Sequence, residues 1–180
     1  MKKIILTVII TACIFTAGCS FAPRSKIAFP DELNRIYFSA DKPYSALSNQ
    51  LNTLFRSMGV QLVKQKSNAP FSIQISGDNF SYSRPDIVDT TLPTNINYSQ
   101  SATVAIENNK NHTTIASQAF STSQTITLNA NQIYTANANS IVRQALNRQL
   151  TSFIYYWLIS SNTKAALYHA NHTQTTRHAS

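Results

Sequence analysis

Few side chains in this chain of 180 residues are spaced for chemistry on a bound molecule. His169 and His172 have the HxxH spacing that puts two imidazoles on one side of a helix, where they can begin a metal site. No carboxylate or cysteine lies near them to complete it, so no metal is expected. Glu107 lacks a sequence-near carboxylate with which to share acid and base work. His112 falls at a predicted turn, where solvation accounts for it. Serines are plentiful, yet no GxSxG elbow raises one as a nucleophile. After Gly18 the only glycines are Gly59 and Gly77, too few for a loop that cradles phosphate. Neither an enzyme nor a non-covalent cofactor is expected.

One reactive group remains, the thiol of Cys19, and it has three possible roles: disulfide, catalytic thiolate or point of attachment. Met1-Lys2-Lys3, the apolar run Ile4 to Phe15 and the small Ala17 and Gly18 follow the order of a secretory signal peptide. The run is well short of the roughly 20 residues that span a bilayer. Cys13 lies inside it and would be removed with it, which leaves Cys19 no partner for an internal disulfide. An exposed unpaired thiol outside the cytoplasm is a liability that acylation removes. Thr16-Ala17-Gly18-Cys19 resembles a bacterial lipobox, whose cysteine becomes the lipidated N-terminus. Cys19 is therefore the expected lipid attachment, and several acyl chains make a stable anchor where one is marginal. Ser20, rather than an aspartate, favours the outer membrane.

Without Lys2 and Lys3 the charge is 13 basic against 7 acidic residues, a net of +6. That surplus favours anionic partners through long-range attraction, such as lipid phosphates or a membrane surface. No basic run with interleaved aromatics points to nucleic acid.

The elements that would position these groups are legible in part. Residues 1–18 are the expected signal peptide, 19–30 a lipidated tether, 31–160 one domain and 161–180 a mobile tail. Ile36-Tyr37-Phe38 predicts a short strand. Leu47, Leu51, Leu54, Phe55 and Met58 share a helix face, with Asp41 or Ser45 as cap and Gly59 as terminator. Phe71, Ile73 and Ile75 alternate with polar residues, and Gly77-Asp78 suggests a bulge before Phe80 and Tyr82. A long excursion over 83–94 leads to Ile96, Tyr98, Ala102, Val104 and Ile106 on one strand face. The asparagine-rich turn 108–111 makes a hairpin with a strand running from about Thr113 to Ser123 and bulged between Ile115 and Phe120. Ala138 to Leu158 is an amphipathic helix whose apolar stripe includes Ile141, Phe153 and Trp157 and reads as core. The order β-α-β-β-β-α predicts an α/β (α+β) two-layer sandwich, two helices on one face of a mostly antiparallel four-stranded sheet.

Phe29-Pro30-Asp31-Glu32-Leu33, the strand Arg35 to Phe38, the helix entry Asp41 to Leu47 and the run Leu54 to Val63 carry a likeness to a known family. With Cys19 ahead of them, they resemble the LptE family of LPS-assembly lipoproteins over about residues 19 to 160. The resemblance implies a domain that plugs the β-barrel of LptD, helps that barrel assemble and assists insertion of lipopolysaccharide into the outer leaflet. It also implies a non-enzymatic subunit anchored to the outer membrane on the periplasmic side. Family members can carry a basic residue just before the last helix, whereas Tyr134 to Ala138 has no charge here. Lipopolysaccharide contact is therefore expected instead at Arg84 and Lys110, both in predicted loops. The alternative is a freestanding periplasm-facing lipoprotein that binds an anionic envelope polymer such as cell-wall glycan.

Overall fold

The computed structural model describes residues 29–83, 93–129 and 136–172. Strand β1 (Arg35–Ala40) is followed by helix α1 (Ala46–Ser57), and local chemistry sets both ends of that helix. The Ser45 hydroxyl accepts the Ser48 amide at 3.1 Å, which satisfies one of the first-turn N–H groups that have no intrahelical partner. At the other end Gly59 adopts a φ of +82°. The amides of Gly59 and Val60 then return to the carbonyls of Arg56 and Phe55, each at 3.0 Å. This is a Schellman closure, and a side chain at position 59 would be strained at that backbone angle.

Among the described residues the sheet has five strands, in the order β2-β1-β3-β4-β5, rather than the four expected. The additional one is β2 (Gln61–Val63), which pairs in parallel with Arg35 to Tyr37. Three residues are too short to display a period of two, so pairing rather than local pattern makes this strand. β3 (Phe71–Ser83) lies on the other side of β1, also parallel to it, and α1 and β2 occupy the connection between them. β4 (Thr94–Asn108) and β5 (Thr113–Leu128) continue as antiparallel neighbours. The β3 register breaks between Ser76 and Asn79, at the expected Gly77-Asp78 bulge. The second bulge falls at Ile115, where Ile106 pairs with Ala116 and Glu107 with Thr114.

The last two elements of the described residues are α2 (Ala136–Leu158) and α3 (Ser161–His172), so two helices follow β5 where one was expected. Residues 161–172 were expected within a mobile tail and are instead helical. Ser160 caps the turn by accepting the Thr163 amide at 3.3 Å, and Leu167 is fully buried. The fold is mixed α+β, an open sheet with its helices on one face. Leu47, Leu51 and Phe55 of α1 meet Ile73, Ile75, Val104 and Ile106 of the sheet, with Leu150, Ile154 and Leu158 of α2 closing the core. A smaller cluster joins Ile96 and Tyr98 to Val142 and Leu146. The buried stripe of α2 is narrower than its sequence suggests: Ile141 and Phe153 are exposed, while Trp157 packs edge-on against Phe120 at 5.8 Å.

Candidate functional site

The end of the β4–β5 hairpin gathers several residues whose types suggested chemistry. Glu107, near the end of β4, sits opposite Ser72 of β3, so its side chain projects from the face of the sheet that carries no helix. Lys66 reaches it at 2.8 Å from the turn before β3, and Gln74 donates to its second oxygen. His112 Nδ1 stands 3.7 Å away. The hydrogen bond from the Lys66 ammonium holds the Glu107 carboxyl below the ordinary carboxylate range, aided by the charges of Lys66 and His112 and opposed by burial. A carboxylate held ionised and bonded at both oxygens works as a tie between elements 41 residues apart.

The neighbouring turn is fixed by Asn109. Its amide donates to the carbonyls of Ala69 at 2.9 Å and Lys66 at 3.2 Å, and its carbonyl oxygen accepts from the Ser72 hydroxyl. His112 takes a positive φ of 56° to close the hairpin, an angle that turns tolerate for His. Lys110 therefore sits on a rigid turn. With Arg35 at the start of β1, it flanks a cleft of about 480 Å³ also lined by Asn68, Pro70 and Asn109. None of the lining residues is acidic, so this cleft suits an anion such as a phosphate. Lys66 and Arg35 were not singled out by sequence, because their partners arrive from distant segments. Arg84, the other expected contact, and Cys19 lie outside the described residues.

The second feature is the helix-free face itself. Across β3, β4 and β5 it carries Ser, Thr, Asn, Gln and Ala, and Glu107 is its one charged residue on those strands. Side chains bond across the strands: Ser81 with Ser99 at 2.7 Å, Thr125 to Asn97 at 2.6 Å and Thr127 to Asn95 at 2.7 Å. Such pairs stiffen a sheet face, and the hydroxyls and amides offer further donors and acceptors to a partner. β5 forms the edge, so its outer backbone groups are unpaired with any described strand.

His169 and His172 lie on α3. The His172 ring stacks on Tyr168 at 4.0 Å, and its Nδ1 is 2.9 Å from the Tyr168 carbonyl oxygen. Among the described residues no group of three or more His, Cys, Asp or Glu could hold a metal ion. No described helix is long and apolar enough to cross a membrane.

The sequence matches no protein-family model and no curated protein. Solved structures do share its fold. A minor lipoprotein of Acinetobacter baumannii aligns with a TM-score of 0.54 at 16% identity, covering 71% of this chain and 91% of that one. A lipoprotein B of Nitrosomonas europaea gives 0.53 at 14% identity, over 84% and 97% of the two chains. A homologue of the neuraminyllactose-binding hemagglutinin of Helicobacter pylori gives 0.54 at 10% identity, over 78% and 93%. At these identities the likeness establishes a common architecture, one used by bacterial lipoproteins.

Proposed function

We propose that this chain is a non-enzymatic outer-membrane lipoprotein, anchored through Cys19, that seats in an LptD-type β-barrel and assists insertion of lipopolysaccharide into the outer leaflet. The observation that carries this reading is the bare, hydroxyl- and amide-rich sheet face, almost free of charge. A soluble two-layer domain exposed to water has no need for so uniform a face, whereas the lumen of a large barrel is polar and presents matching groups. The shared fold with lipoproteins and the likeness of residues 29–63 to the LptE family support the same reading. Arg35 and Lys110 supply a cleft for a phosphate of the transported lipid, and Arg84 is a further contact. Depleting the protein should lower lipopolysaccharide on the cell surface, measured by surface antibody labelling. Unchanged labelling after full depletion would sink the proposal.

A second reading has its own support. The Arg35–Lys110 cleft equally suits an anionic envelope polymer such as cell-wall glycan, bound by a freestanding lipoprotein. The Helicobacter pylori neighbour is a homologue of a protein named for binding a sialylated sugar. Binding to purified peptidoglycan without any barrel partner distinguishes this reading from the first.

A further inference from the structure

A cavity of about 320 Å³ lies where the N-terminus of α1, the later half of β3 and α2 meet. It shares Ala46, Phe80, Arg143 and Asn147 with an adjoining groove of about 700 Å³. Its polarity originates in the β3 bulge. The register break between Ser76 and Asn79 leaves Asp78 buried, and Gln100 on the inner face of β4 donates to it at 2.5 Å. Gln100 is spent on one side only: its Oε1 is buried and accepts nothing from the described residues, and the same holds for Asn147 Oδ1 on α2. Both residues are 2% exposed and both line the cavity.

Buried carbonyl oxygens are nearly always paired, so two orphans on residues that line one cavity favour an occupant rich in O–H or N–H donors. The walls choose between these. Lys42 and Arg143 outnumber Asp78 on the border of the cavity, and Gln100 already occupies one Asp78 oxygen, so an ammonium ion is disfavoured. A hydroxyl donates to the orphan carbonyls and also accepts from a guanidinium. Arg143 is held ready for this, with its Cζ 4.4 Å from the Phe80 ring centroid. Tyr82, 47% exposed, adds an aromatic surface along the groove. We propose that this cavity binds a saccharide unit, whose hydroxyls donate to Gln100 Oε1 and Asn147 Oδ1 and accept from Arg143, with the ring packed on Tyr82. The site is formed by other residues than the Arg35–Lys110 cleft and rests on neither functional reading above.

Saturation-transfer NMR on the full-length protein in detergent micelles tests this with two probes. One is the β-1,4-linked disaccharide of N-acetylglucosamine, and the other is the delipidated core oligosaccharide of lipopolysaccharide. At least one should receive transfer at its ring protons, and which one responds separates a cell-wall source from a glycolipid source. Asn147→Leu should weaken the responding probe about tenfold, about 1.4 kcal/mol. It should leave the thermal midpoint unchanged or higher, because it removes an unpaired buried carbonyl. Arg143→Gln, at an exposed position, should weaken the same probe and decides the matter if the first variant does not fold. No transfer to either probe, or binding that Arg143→Gln leaves unchanged, overturns the proposal, as does a cavity that holds water only. Sugar binding by a protein that captures no barrel would count against the barrel reading alone.

Discussion

Glu107 links residue chemistry to stability in a way that can be titrated. Its pKa is lowered from 4.5 in the folded chain, so the unfolded chain binds its proton first as the pH falls. The tie therefore contributes fully above about pH 4.5, and its contribution is lost as the pH falls through the lower folded value. Lys66 is about one-third exposed, so screening limits the contribution to about 1 kcal/mol. Glu107→Gln should destabilise by that amount at neutral pH and flatten the acid limb of a denaturant-midpoint profile. Cys19→Ala should release the protein from membranes, and the wild-type N-terminal peptide should carry acyl mass in a mass spectrum. The signal around Cys19 is local, so sequence alone can offer it as the expected attachment point. It could not disclose Lys66 as the partner of Glu107, since a fold must bring them together. Gln100 did leave a trace: it interrupts the apolar alternation between Tyr98 and Ala102 at an inward position. Asn147 left none, because its place beside Leu146 and Arg148 reads as the polar side of a helix.

Among the elements, those with caps and several turns of periodicity were legible, including α1 with Ser45 and Gly59 and α2 with its stripe from Val142 to Leu158. β2 was hidden by its length. α3 was hidden because it buries only Thr163 and Leu167 across three turns, leaving little pattern to read. The Ser160 cap and the helix-forming Lys164-Ala165-Ala166-Leu167 were the available signals. Leu167 joins the main core, so Leu167→Ala should cost about 2–5 kcal/mol of docking for that helix. Trypsin cleavage after Lys164, timed under native conditions, should become faster while the amides of β3 and β4 keep their hydrogen-exchange protection. Equal loss of protection throughout would mean that α3 unfolds only with the whole domain.

At the scale of the whole molecule the sheet is two-faced. The helices α1, α2 and α3 and the core cover one side, and a nearly uncharged ladder of hydroxyls and amides covers the other. Alternation in the sequence announced the polar side of each strand, but only the strand order shows that β3, β4 and β5 join these sides into one surface. Ala119 lies on that surface opposite Thr103 and is exposed, so Ala119→Arg leaves the core untouched. Its effect on stability should stay within about 0.5 kcal/mol, as for surface substitutions in general. A cation pressed against a snug polar wall should nevertheless block docking. The most direct measurement is affinity purification of the full-length protein in mild detergent, with its partners identified by mass. The proposed function predicts a large β-barrel protein in about equal amount, absent from the Ala119→Arg purification; recovery of the wild-type protein only as a free monomer would contradict it.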